Sequence, residues 1–181
     1  CPPLAKENSV RLPVYKLKLV RSGWIGFPRI DPKHPQLAGY FLHKMIGQAA
    51  VEHAAVLFLD QVQRPLGASV ISVGDLARVP MVAREVFKAA ILANASSVIV
   101  AHNHPAAVSP EPSHADIRVT RRLIKAGEII GIPLLDHIIL TPNGQFTSMR
   151  ERVELLLWLM PMRGTNEPQA ATEERTRAGK S

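Results

Sequence analysis

The chain reads as a single mixed α/β domain, a mixed sheet flanked by helices. Apolar runs of strand length alternate with amphipathic helical periods, in the order helix, strand pair, helix, strand, helix, strand, helix. With 181 residues, 46% of them hydrophobic and 20% charged, the chain can build one complete core but not two large ones. The pattern leaves the strand order open.

Residues 12–22, LPVYKLKLVRS, alternate well enough for a strand, and WIGFPRIDPKHP breaks into a proline-rich connection. HPQLAGYFLHKMIGQA predicts the first helix, with Leu37, Phe41, Leu42, Met45 and Ile46 near helical spacing. EHAAVLFLDQ predicts a buried strand, which Gln61 to Pro65 turn into LGASVISV as a hairpin. Residues 83–95 predict a helix on which Val86, Ala89, Ala90 and Ala93 line one face. SSVIVAHNH is a core strand with polar residues at its exit. SHADIRVTRRLIKAGEIIG is a long amphipathic helix, with apolar Ile117, Leu123 and Ile124, and with Arg118, Arg121, Arg122 and Lys125 on its more exposed surface. Gly131 stops it. LLDHIIL is a further strand, TPNGQ a turn, and RERVELLLWLM a terminal helix. The domain is expected over residues 10–160, after an N-terminal arm of residues 1–9 and before a flexible polar tail of residues 161–181.

The lone Cys1 excludes an internal disulfide and a cysteine-cluster metal site, and it fits a reducing compartment, so a cytoplasmic location is expected. Apolar runs such as AAVLFL and ELLLWLM fall well short of the roughly 20 residues that cross a bilayer, so no membrane span is expected. The net charge of +7 is uneven. Residues 1–35 hold Lys6, Arg11, Lys16, Lys18, Arg21, Arg29 and Lys33 against Glu7 and Asp31, a net of +5. Such a segment suits contact with DNA or another polyanion, although no recognition helix or base-stacking motif accompanies it.

The chemistry concentrates in AHNHPAAVSPEPSHAD, residues 101–116. Side chains two apart on a strand point the same way, so His102 and His104 converge while Asn103 turns away. Imidazole nitrogens suit zinc, and a carboxylate completes a three-ligand set that leaves a position open. Asp116 is the natural third ligand, brought back by the turn PAAVSPEP. Ser113 with Asp116 also spells a capping box, and an acid in a first helical turn is favourable without any metal.

REVFKAAILANASSVIVAHNHP, SHAD and LLDHIIL resemble the bacterial RadC family, a branch of the JAB/MPN metalloprotein fold with a cytidine deaminase-like architecture. The resemblance covers roughly residues 10–150. It implies one zinc ion per chain on His102, His104 and Asp116, a general-base glutamate upstream, and Ser113 as a hydrogen-bond donor to the transition state. Glu52, opening the strand EHAAVLFLD, is the best match for the glutamate; Glu85, inside a helix, competes but suits a salt-bridging role. Two features depart from the family pattern. Ala106 and Ala107 stand where Ser-Gly is usual, and eight residues rather than seven separate His104 from Ser113. The extra residue is either absorbed by a bulge at Ser109 or Pro110 or moves Asp116 off the metal.

The remaining polar residues suggest structural roles. Asp136 and His137 suit hydrogen bonding beside a strand, His114 faces solvent, and His53 lies on the strand face opposite Glu52. His34 and His43 have no partner pattern, and Asp60 and Asp75 are loop residues. The implied function is a zinc-dependent hydrolase of amide or isopeptide bonds, metallopeptidase-like, with a protein or peptide substrate. The competing accounts are a non-proteolytic, DNA-associated protein of this repair-labelled family, using the basic arm and the Arg118, Arg121, Arg122 and Lys125 helix, or an inactive binding module. A homodimer is compatible with the exposed edges and terminal helix.

Overall fold

Five strands form one sheet in the order β2-β1-β3-β4-β5 in a computed structural model that describes residues 12–26, 35–74 and 81–152. The strands are β1 (His53–Leu59), β2 (Pro65–Val73), β3 (Ser97–Asn103), β4 (Leu134–Leu140) and β5 (Phe146–Ser148). The helices are α1 (Pro35–Leu42), α2 (Ala83–Leu92) and α3 (His114–Ile130), with α1 widening into a π-helical segment at His43–Gly47. β1 runs antiparallel to both β2 and β3, β3 and β4 are parallel, and β5 returns antiparallel to β4. The parallel step needs a long crossover, which α3 supplies.

Period-2 geometry explains why β1 and β3 read as unbroken apolar runs: both of their faces are covered. Ala54, Val56 and Phe58 of β1 join Val98 and Val100 of β3 under α2 and α3, where Val86, Phe87, Ala90 and Leu123 fill the layer. The alternate residues Ala55, Leu57, Leu59, Ile99 and Ala101 pack with Ile138 and Leu140 against Ala38, Phe41, Leu42 and Ile46. Helices therefore cover both sides of the sheet, as the sequence pattern requires. α3 approaches β4 closely at Gly127, where an added Cβ would lie 2.6 Å from the Ile132 carbonyl oxygen. Gly131 ends α3 in the left-handed region at φ 80°, its N–H donating to Gly127 O at 2.9 Å.

Three sequence expectations change. Residues 12–22 are not a strand: they carry no regular structure, and Val14 is 97% exposed and Tyr15 80% exposed. Alternation alone does not make a strand without a neighbour to receive its hydrogen bonds. β5 has only three residues, too few to show a period, and follows the expected turn. The expected first helix is also not uniform, since after Leu42 the five residues His43–Gly47 take the π-helical form. The arm 1–9, His34, Asp75, residues 153–160 of the expected terminal helix and the tail 161–181 lie outside the described residues.

Among the described residues, no helix is long and apolar enough to cross a membrane.

Candidate metal centre

His102, the last residue but one of β3, lies on the face that Val98 and Val100 turn toward α2 and α3, and His104 follows directly after the strand. The intervening loop folds back so that α3 begins beside them. His102 Nε2 lies 2.8 Å from His104 Nε2 and 3.1 Å from Asp116 Oδ1, while His104 Nε2 lies 3.8 Å from Asp116 Oδ2. The extra loop residue has therefore not moved Asp116 away from the histidines. Asn143 Nδ2 donates to Val108 O at 3.1 Å and Arg152 pairs with Glu111 at 2.7 Å, tying the loop at two points.

Asp116 serves two structural demands at once. Its Oδ2 accepts from the Ser113 N–H at 2.7 Å, and its own N–H donates to Ser113 Oγ at 3.2 Å, closing the capping box. Its Oδ1 remains directed at His102. The cap and the cluster are thus one arrangement, not alternatives. Burial pushes the Asp116 carboxyl up, but the neighbouring His102 and the Ser113 hydrogen bonds outweigh it and hold the group well below the usual carboxylate range. His104 is held below the ordinary histidine value by burial and by His102, against the opposing charges of Asp116 and Glu52.

The donor set suits zinc. Ligand arms of about 2.0–2.1 Å at tetrahedral angles separate donor atoms by about 3.3 Å, and the separations above lie around that value. The three ligand atoms fall within 4.8 Å of one another. Two imidazoles and one carboxylate form the kind of three-residue set that leaves a coordination position for water or substrate.

A cleft of about 630 Å³ opens beside the cluster, lined by Glu52, His104, Pro105, Ala106, Ala107 and Ser113 among others. Both residues expected to work alongside the metal ligands thus face the same space as His104. Glu52 is positioned by Asn103, which is fully buried and points away from the histidines. Asn103 Oδ1 accepts from the His53 N–H at 2.6 Å, and its Nδ2 donates to the carbonyls of Ala49 at 3.2 Å and Val51 at 3.3 Å. These bonds fasten the segment that carries Glu52 to the end of β3. The competing Glu85 lies in the first turn of α2 and pairs with Arg84 and Lys88. A second cavity, of about 400 Å³, lies at the other end of the sheet, where Asp60 is engaged by Arg64.

His137 is the residue whose place the sequence did not reveal. It pairs with Val100 across the parallel β3–β4 ladder, which turns its ring toward α3. Its Nε2 lies 2.8 Å from His102 Nδ1 and its Nδ1 lies 2.7 Å from Thr120 Oγ1. The expected structural role for Asp136 holds: its carboxylate accepts from Ser148 Oγ and from the His137 and Arg150 N–H groups. His114 is exposed, His53 Nδ1 donates to Val51 O, and His43 Nε2 donates to Thr141 O at 3.1 Å, a partner invisible in the sequence.

The RadC-like JAB domain model matches residues 33–155. The chain belongs to the RadC family. The UPF0758 protein tlr1707 of Thermosynechococcus vestitus is 43% identical over 117 residues, covering 65% of this chain and 46% of that protein. The UPF0758 protein STH371 of Symbiobacterium thermophilum is 39% identical over 124 residues, covering 68% and 52%. A UPF0758 protein of Desulforamulus reducens is 46% identical over 101 residues, covering 56% and 44%. The chain spans about half the length of these curated relatives. The RadC domain therefore has the JAB/MPN-type α/β architecture expected of it, with a candidate His-His-Asp metal cluster at the end of its central strand.

Burial sets the acid sensitivity of this RadC domain. His137 is pushed from 6.5 down to about 3 by burial first and then by the charges of His102 and His104, with Asp116 opposing. The unfolded chain takes up that proton near 6.5 while the folded chain resists until about 3, so unfolding binds a proton throughout this window. Asp116, depressed, acts in the same direction at lower pH, whereas Asp136, raised by burial, acts in the opposite one. Urea unfolding of the metal-free protein should show stability falling as pH drops from about 6.5 toward 3. His137→Gln should flatten that slope; an unchanged slope would assign it to other groups.

Proposed function

We propose that this RadC domain is a zinc-dependent hydrolase of amide or isopeptide bonds, with His102, His104 and Asp116 as the metal ligands. The observation that supports the reading is the cleft that Glu52 and Ser113 share with His104 of the His-His-Asp cluster. Zinc bound there would supply Lewis-acid polarisation of a carbonyl and a lowered pKa for water. The chain's own residues supply the rest. Glu52 takes the proton of the attacking water and returns it to the leaving amine. Ser113 Oγ accepts from the Asp116 N–H, which leaves its hydroxyl hydrogen available to donate to an oxyanion in the cleft. Asp116 and the histidines hold a fixed geometry because one capped helix and one strand end carry them. A protein or peptide substrate follows from the bond class.

A polyanion-binding reading draws on a separate surface. Arg118, Arg122 and Lys125 are exposed at helical spacing on α3, on the side opposite the buried Thr120, Leu123 and Gly127 and so away from the cluster. Their side chains suit phosphate contacts.

One experiment separates the readings: zinc titration of metal-stripped protein at neutral pH, with a peptide and isopeptide cleavage panel and a duplex-DNA retention assay at several salt concentrations. The hydrolase reading expects one zinc per chain, lost in His102→Ala and His104→Ala, together with zinc-dependent cleavage. A wild type without specific zinc, retained on DNA in a salt-dependent way, would instead support the polyanion reading.

A further inference from the structure

Three short contacts run from the main chain of α3 through the core and back to the cluster. Thr120 Oγ1 lies 2.7 Å from Asp116 O and 2.7 Å from His137 Nδ1, and His137 Nε2 lies 2.8 Å from His102 Nδ1. Heavy atoms this close form hydrogen bonds, and each bond needs one proton between its atoms. The distribution of those protons follows from what each group can donate.

The Asp116 carbonyl oxygen has no proton to give, so the single hydroxyl proton of Thr120 lies on that contact. Thr120 Oγ1 can then only accept from His137, which places a proton on His137 Nδ1. The His137 ring is buried at 1% exposure with no carboxylate bonded to it, and a neutral imidazole carries one N–H. His137 Nε2 is therefore an acceptor, and His102 Nδ1 must be the donor. The reverse arrangement would turn the Thr120 hydroxyl to His137 and leave two oxygen atoms 2.7 Å apart with no hydrogen between them.

We propose that Thr120 and His137 are positioning residues that fix the tautomer of His102, holding its proton on Nδ1 so that the Nε2 lone pair faces His104 and Asp116. The relay begins at the Asp116 carbonyl; at its far end the 3.1 Å contact between His102 Nε2 and Asp116 Oδ1 then holds no proton of its own, which is the arrangement of two donor atoms that share a cation. A histidine with the opposite tautomer would present an N–H where a ligand needs a lone pair. The use made of that lone pair rests on the zinc reading; the proton arrangement does not.

The test is nitrogen-15 NMR of histidine-labelled, metal-stripped protein at about pH 8.5, above the ordinary histidine range, alongside zinc affinity by chelator competition. In the wild type, His137 and His102 should both carry the proton on Nδ1. Thr120→Val keeps the shape but removes the acceptor of the His137 Nδ1–H. His137 should then move its proton to Nε2, and zinc affinity should fall by about 10–100-fold. Thr120→Ser should restore both. A merely structural threonine would change stability without moving the proton. A wild type with the proton on His137 Nε2, or a Thr120→Val variant with unchanged tautomers and unchanged zinc affinity, would overturn the proposal. A wild type with both Nδ1 protons but no zinc binding would uphold the relay while removing the hydrolase reading.

Discussion

Glu52→Gln should bind zinc with wild-type stoichiometry while zinc-dependent amide hydrolysis falls by about 10²–10⁴-fold. Glutamine keeps the size and hydrogen-bonding capacity of the side chain but cannot take a proton from water. The backbone beneath it should not move, because Asn103 secures the Ala49–His53 segment with bonds that do not involve the Glu52 side chain. The two readouts, zinc stoichiometry by metal analysis and initial cleavage rate, therefore separate the base from the ligands. Zinc lost in this variant would make Glu52 a ligand. Hydrolysis at the wild-type rate would remove its role as base and leave the cleft without a proton acceptor of the right kind.

The His-His-Asp cluster was legible because it rests on local rules. Two histidines two apart on a strand must share a face, and an acid three residues after an N-cap serine must lie in the first turn of a helix. What joins them is a short loop, so their meeting required little beyond chain continuity. The same locality made most strands and helices readable from their periods. The residues that act through others were not readable, for a physical reason. His137 reaches His102 only because β4 lies parallel and adjacent to β3 with Val100 opposite His137, and strand order is a property of the whole sheet. Nothing in the local pattern singles out Thr120, whose value comes from standing one turn after Asp116 on the inward face of α3. Asn103 was recognised as pointing away from the histidines, but the segment it holds is 50 residues or more away in the chain. Residues 12–22 failed in the opposite direction: the local pattern was present, and among the described residues the neighbour that would make it a strand was not.

Asp116 should yield different results for alanine and asparagine. Its side chain accepts the Ser113 N–H through Oδ2 and faces His102 through Oδ1, so the carboxylate contributes to folding and to the cluster by separate atoms. Asp116→Ala removes both contributions. Zinc binding should be lost, and the metal-free protein should be destabilised by about 1 kcal/mol, the usual scale of a lost helix-end interaction. Asp116→Asn retains an amide oxygen that can accept from Ser113, so the end of α3 should stay closed and urea unfolding should fall closer to the wild type. Its neutral amide is a poor zinc ligand beside two imidazoles, and zinc binding should still be lost. The comparison matters because the capping box alone is a sufficient reason for an acid at this position. Full zinc binding by Asp116→Asn would mean that the carboxylate is there for the helix, and the metal site would then need a third ligand other than Asp116. Loss of zinc with the helix end intact would show instead that the shift of this loop by one residue has preserved a working ligand set.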